Sequence, residues 1–235
     1  KPSSAASDVY KRQALAFIGV SSAAMAQEQD STFVHKDYGD KWGRFYIAGG
    51  FASTDYKLSD KLVASGLPAI NNGTFELSIG LTRINGKLLS DLEWNTDYYS
   101  DKKADGQKVR TVSSGIKWRP QYIFFRQKGI FAAAGFDVSY MYTSVNIFTL
   151  GNNIDLDNLN PATHSGHISL YNSNWYLGPS ASFGVLQDKE NSLRVTTGYE
   201  WNVARASWHS DYASVSNTVK EGGQGRFYAK LIYNF

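Results

Sequence analysis

Residues 226–235, RFYAKLIYNF, alternate in character: Phe227, Ala229, Leu231, Tyr233 and Phe235 fall on one face of a strand, and Arg226, Tyr228, Lys230, Ile232 and Asn234 on the other. Seven earlier segments repeat this period of two. Phe45, Ile47, Gly49 and Phe51 oppose Arg44, Tyr46, Ala48 and Gly50; Phe75, Leu77, Ile79 and Leu81 oppose Glu76, Ser78, Gly80 and Thr82. Leu92, Trp94 and Tyr98 oppose Asp91, Glu93, Asn95 and Asp97, and Val112, Ile116 and Trp118 oppose Ser113, Gly115 and Lys117. In the fifth, Ile130 to Tyr142 alternate with Ala133, Gly135, Asp137 and Ser139, Phe131 and Met141 being apolar exceptions on the second face. Trp175, Leu177, Ala181, Phe183 and Val185 oppose Tyr176, Gly178, Ser180, Ser182 and Gly184; Leu193, Val195, Tyr199, Trp201 and Val203 oppose Arg194, Thr196, Gly198, Glu200 and Asn202.

Connections between these segments alternate in length. Short polar turns follow segments two, four and six, at Asn85-Gly86-Lys87, 126–129 and 188–191. Longer stretches, 57–72, 101–107, 146–172 and 211–223, follow the others. The apolar face runs through all eight segments, and no second sheet or amphipathic helix is left to cover it. A sandwich would turn the charged face inward between its sheets. Lipid accepts a sheet only when the sheet closes on itself. The fold class expected is therefore all-β: an eight-stranded antiparallel up-and-down transmembrane β-barrel. Outward aromatics gather at the strand ends, Phe45, Trp118, Tyr233 and Phe235 on the short-turn side and Phe75, Tyr98, Tyr140, Tyr142, Trp175 and Phe227 on the long-loop side. Pro179 conflicts with an internal strand unless a bulge or a displaced strand end accommodates it, Gly178 beside it being the place for a bulge; Pro120 raises a milder form of the same question.

Composition supports strands: aromatic residues make up 14%, and there are 21 glycines against 5 prolines. No apolar run reaches about 18 residues, so no transmembrane helix is expected. The net charge of +3 is evenly spread and gives no nucleic-acid footprint. Absence of cysteine removes disulfides and thiolate metal sites.

The N-terminal residues read separately. KPSSAASDVYKRQ (1–13) lacks an initiating Met and resembles a translated sequencing-adapter peptide, so it is set aside from the fold. Ala14 to Ala26 reads as the remnant of a secretion signal, with Ala24-Met25-Ala26 as the cleavage pattern. Residues 27–41 then form an N-terminal periplasmic segment, and 42–235 the barrel.

WGRFYIAGG at the start of the first strand resembles the opening of the OmpA-like, porin-family small outer-membrane barrels. The final YNF is similar to their terminal signal, with an aromatic last residue and another two before it, here Phe235 and Tyr233. The resemblance covers about 42–235. It implies a monomer in a Gram-negative outer membrane, in contact with membrane lipid and lipopolysaccharide, whose ending is read by the barrel-assembly machinery. No peptidoglycan-binding domain is expected after the barrel.

On the inward face five acids (Glu76, Asp91, Glu93, Asp137, Glu200) meet five bases (Arg44, Lys117, Arg194, Arg226, Lys230). Side chains suffice to fill an eight-stranded barrel, and buried charge demands partners. These residues are expected to form a salt-bridged plug. The alternative is a narrow solute path, for which the inward glycines 80, 115, 135, 178, 184 and 198 leave room. Some barrels of the resembled kind modify lipid A with a His and a Ser or acid near the rim. In Trp208-His209-Ser210-Asp211, however, neighbouring side chains point to opposite faces. His164 and His167 have no nucleophile beside them, so no catalytic residue is expected. Asp155 and Asp157 lack EF-hand spacing, so no metal or cofactor is expected either. The loop 146–172, with its apolar residues, is the place expected to cover the mouth or meet an extracellular ligand. The expected function is a structural or surface-interaction barrel.

Overall fold

The computed structural model describes residues 41–103, 106–127, 129–149, 166–186 and 192–235. The segments 1–13, 14–26 and most of 27–41 lie outside the described residues, as do His164, Asp155 and Asp157.

Eight strands close into one antiparallel barrel in sequence order: β1 (Lys41–Thr54), β2 (Gly73–Asn85), β3 (Leu88–Lys102), β4 (Gln107–Gln127), β5 (Ile130–Thr149), β6 (His167–Leu186), β7 (Ser192–Asn202) and β8 (Gly225–Asn234). β8 pairs with β1, from Thr54↔Arg226 to Tyr46↔Asn234. The register climbs around the wall. Arg44 pairs with Thr82, Thr82 with Asp91 and Asp91 with Arg119; beyond the far strands, Glu200 pairs with Arg226 and Arg226 with Thr54. This stagger is what closing a tilted sheet requires. The β2–β3 hairpin turns on Gly86 and Lys87, with Gly86 at φ 61°, a conformation that costs glycine nothing.

The alternation decides the faces. In β8, Phe227, Leu231, Tyr233 and Phe235 lie exposed on the outer wall, whereas Arg226, Tyr228, Lys230, Ile232 and Asn234 are buried inside. The outer wall carries a broad apolar band, including Phe75, Ile79, Leu92, Ile116, Phe136, Leu177 and Val195. On a molecule surrounded by water this would be an aggregation hazard. In a bilayer it is the lipid-facing surface, and closure of the sheet pairs the strand edges that lipid would otherwise leave unsatisfied. Among the described residues no helix is long and apolar enough to cross a membrane.

Two expectations change. Pro179 produces no bulge: β6 keeps Phe136↔Pro179 on its β5 side. On the β7 side pairing lapses between Leu177↔Trp201 and Ser180↔Gly198, with the register unchanged. The missing N–H is accommodated by skipping two rungs of the ladder. Among the described residues the register shifts instead in β4, between Ile123 and Phe125. Secondly, the strands run further into the loops than expected. The β3–β4 connection shrinks to 103–106 and the β5–β6 connection to 150–166, while the β7–β8 connection grows to 203–224.

The β1–β2 connection carries a short helix, α1 (Lys57–Ala64). Its Leu58 and Leu62, four residues apart, share one face and are buried.

Candidate functional site in the barrel lumen

Ten charged side chains from six strands meet at mid-height, all almost wholly buried. They form a closed ring of alternating sign. Arg119 pairs with Glu93 (3.3 Å), Glu93 with Lys230, Lys230 with Glu76 and Glu76 with Arg226. Arg226 pairs with Glu200 (2.6 Å), Glu200 with Lys117 (3.1 Å), Lys117 with Asp137 (3.4 Å), and Asp137 closes on Arg119 (3.2 Å). Asp91 extends the ring, joining Arg119 (3.0 Å) to Arg194 (2.7 Å). Within this network five acids balance five bases, so the ring itself is neutral.

Tyr228 is the hub. Its hydroxyl donates to Asp137 and accepts from Arg119 Nε (3.1 Å). Lys117 Nζ lies 3.5 Å from its ring centre, with Lys230, Arg119 and Arg226 at 5.2, 5.3 and 5.9 Å. Four cations around one aromatic ring are tolerable because the ring's face is electronegative and every cation also holds a carboxylate. Tyr46 plays a smaller part, donating to Glu93 Oε2 at 2.9 Å.

The inward glycines do not leave a passage. A Cβ on Gly198 would stand 2.6 Å from the Tyr228 ring, and one on Gly80 2.5 Å from the Tyr46 ring. Gly115 faces Met141 and Gly184 faces Phe131 in the same way. Each glycine makes the notch into which a large side chain from another strand fits. At Gly135 and Gly178 the space is taken by the carbonyls of Pro120 and Tyr199.

Apolar layers close the lumen on both sides of the ring. On the short-turn side Ile84, Leu89, Ile123, Phe131 and Ala133 form a buried floor. On the loop side Tyr56, Leu58, Leu62 and Ile70 pack against Val109, Val145, Ile147 and Trp208. This cap is fastened by Glu221, whose carboxylate accepts the backbone N–H groups of Lys57 (3.1 Å) and Leu58 (3.0 Å), the Trp208 indole N–H (3.3 Å) and the Gln224 amide. A carboxylate at the first turn of α1 satisfies two orphan donors and meets the positive end of the helix dipole. Burial pushes the Glu221 carboxyl above its ordinary value, against the lowering effect of those hydrogen bonds and of Lys57. Burial likewise pushes the Tyr56 phenol up to about 12. A cavity of about 10 Å³ beside Tyr56 and Asp97 has room for roughly one water.

Of the residues expected in the lumen, Glu76, Asp91, Glu93, Lys117, Asp137, Arg194, Glu200, Arg226 and Lys230 are brought together. Arg44 is half-buried on the same face of β1, nearer the short-turn end. The fifth base of the network is Arg119, overlooked because the fourth segment was ended at Trp118, just before Pro120. Continuing the alternation through Lys117, Arg119 and Gln121 would have found it. Tyr233 and Phe235 lie outside, rings 6.4 Å apart, and the Phe235 N–H donates to the Phe45 carbonyl at 3.1 Å. At the rim His209 pairs through its backbone with Tyr171, its ring stacked on that tyrosine at 5.7 Å, while Trp208 turns into the cap. His167 lies exposed, 3.3 Å from Asn146 Oδ1.

No family model and no curated protein sequence matches the chain. Solved structures do. A major outer membrane protein from Thermus thermophilus aligns over 82% of this chain and 99% of its own, at 11% identity and a TM-score of 0.50. OprG from Pseudomonas aeruginosa aligns over 84% and 98%, at 15% identity and 0.45. Neisserial surface protein A aligns over 84% and 100%, at 10% identity and 0.45. At such identities the likeness is one of fold: a small barrel of the outer-membrane kind.

Proposed function

We propose that this chain is an integral barrel of a Gram-negative outer membrane with a structural or surface-interaction role, its lumen sealed rather than conducting. The observation that carries this reading is the filling of the lumen at three levels: an apolar cap, a neutral ring of ion pairs and an apolar floor. Charged groups that all hold partners offer no site for a solute to displace without leaving a buried charge unpaired. Contact with the exterior then falls to the loop-side surface built from 55–72 and 203–224. The reading assigns no catalytic residue and takes the barrel as a monomer. Tyr233 and Phe235, on the outer face beside β1, serve as the terminal address for the assembly machinery.

Conductance of the folded full chain in a planar bilayer tests this. The expected record has no discrete steps. Steady, reproducible openings from folded protein would overturn the seal and make the charge ring a solute path.

A further inference from the structure

Beneath the cap the lumen holds a carboxylate that the ring does not use. Asp97 of β3 is buried and stands directly opposite Glu76 of β2. Like charges so placed on neighbouring strands repel. Glu76 is held by Arg226 and Lys230, but among the described residues no ion pair reaches Asp97. The buried bases described, Lys117, Arg119, Arg194, Arg226 and Lys230, all belong to the ring already. The loop-side stretches 104–105 and 150–165, outside the described residues, contain neither lysine nor arginine. Asp97 is hydrogen-bonded to the Ser113 hydroxyl, and one neutral donor does not offset a buried charge.

The water-sized cavity lies beside this carboxylate. Apart from Ile70, every residue that lines it carries a side-chain oxygen, and no lysine or arginine is among them. Thr111 of β4 is buried, and among the described residues its hydroxyl has no hydrogen-bond partner. Thr74 of β2 donates its hydrogen to the Ala52 carbonyl (3.4 Å), which leaves its oxygen able to accept. The exposed Asn71 and Asn72 form the outer edge. Such a lining suits a hard cation, since carboxylate and neutral oxygens are its ligands. Among the described residues no three carboxylates, imidazoles or thiols gather, so the donor set is not that of a zinc-type ion. Magnesium keeps several of its waters, and the cavity has room for about one. A single carboxylate balances a single positive charge; a divalent ion would leave net charge buried.

We infer that Asp97, Thr111 and Thr74 hold a dehydrated monovalent cation of sodium size beneath the cap. Bound there, the ion joins the wall made by β2, β3 and β4 to the connection that runs from Tyr56 to Asn72, a second fastening of the cap besides Glu221. The inference does not depend on the lumen being sealed, and a conducting barrel would leave it untouched.

The test follows amide exchange of the full chain folded in zwitterionic detergent, at one neutral pH and one ionic strength, with sodium, choline or calcium as the chloride salt. Sodium at about ten times the midpoint of its own titration should raise the protection of amides 57–72 about eleven-fold over choline, while the barrel strands stay unchanged. Asp97→Asn and Thr111→Val should each remove this response. Asp101→Asn, the same charge change on the exposed loop side, should keep it. Thr111→Val is the sharper variant, because removing a hydroxyl that has no partner is otherwise neutral or stabilising. Equal protection in sodium and choline, a comparison that needs no variant to fold, overturns the inference in favour of a protonated Asp97 beside a water. A sodium response that survives Asp97→Asn overturns it as well. A response to calcium without one to sodium overturns the monovalent assignment.

Discussion

The mid-barrel ring and the loop-side cap both close the lumen, but with opposite chemistry and from different parts of the chain. The ring draws charged side chains from β2, β3, β4, β5, β7 and β8, strands that each pair with a neighbour on both sides. The cap draws apolar side chains from α1, the 203–224 connection and the strand ends, and is fastened to α1 by one carboxylate. A ring of charges has almost no freedom to rearrange, since any member that moves leaves a partner buried and unpaired. An apolar cap exchanges one contact for another at little cost and can be displaced as a unit. The ring therefore fixes the barrel's register, while the cap is a local structure resting on it.

The largest effect that distinguishes the two is expected at Arg119, which holds Asp91, Glu93 and Asp137 together. Arg119→Met leaves three buried carboxylates short of a partner, and breaking a buried pair in this way costs about 3–5 kcal/mol. Urea unfolding of the barrel folded in micelles should show that loss as a shift of the whole transition. A loss confined to the loops would place Arg119 outside the element that holds the barrel together.

Gly198 comes next. Gly198→Val drives atoms into the Tyr228 ring, whose surroundings cannot yield without disturbing four cations. Overpacking of this kind costs about 1–3 kcal/mol. Pairing it with Tyr228→Phe, which removes the hydroxyl but not the ring, should leave the steric penalty in place. Relief of the penalty by that change would mean that the hydroxyl, not the ring, fills the notch.

How much of this was legible in the sequence divides along the same line. A strict period of two announces which side chains face inward, so the five acids and four of the five ring bases could be named from spacing alone. Arg119 escaped because the alternation was followed only as far as Trp118, although the strand continues through Pro120, which pairs with Ser90 on its β3 side. The glycines misled for a physical reason: an empty position in a sequence is not an empty position in a barrel, where a ring from another strand can fill it. The cap was the least legible part. α1 spans eight residues, too short to announce itself, and Tyr56 at its start gives it no side-chain cap. Its capping carboxylate arrives from Glu221, 164 positions after Lys57. Leu58 and Leu62 at helical spacing were the available signal. Expectation fell instead on Phe148, Leu150, Ile154, Leu156 and Leu159 in the loop 146–172; it is Ile147, just before them and within β5, that reaches the cap.

Glu221 supplies a smaller effect with a pH signature. Its carboxyl titrates above the ordinary Glu value of 4.5 in the folded cap, so the folded cap binds its proton more tightly than the open one. The cap is then most stable below that value and loses stability as pH rises through the raised one. The protection of amides 57–64, that is their exchange relative to the intrinsic rate at each pH, should fall over that interval while the barrel strands keep theirs. Glu221→Gln should abolish the pH dependence at a cost of about 0.5–1 kcal/mol in capping. An equal loss of protection in the strands would tie the cap to the ring and erase the distinction between them.

The smallest expected effect is none at all, and it separates the two closures most directly. Replacing 57–70 by a short Gly-Ser turn removes α1, Leu58, Leu62 and Ile70 from the mouth, leaving the ring and the floor intact. If the ring seals the barrel by itself, the shortened protein is as silent in a planar bilayer as the full chain, although its loop-side residues exchange faster. Openings that appear only after this excision would make the cap the true barrier and the ring a permeable layer beneath it. Silence is the outcome that the ring's geometry requires: Tyr228 fills its centre, and each of its ten charges has a partner of opposite sign.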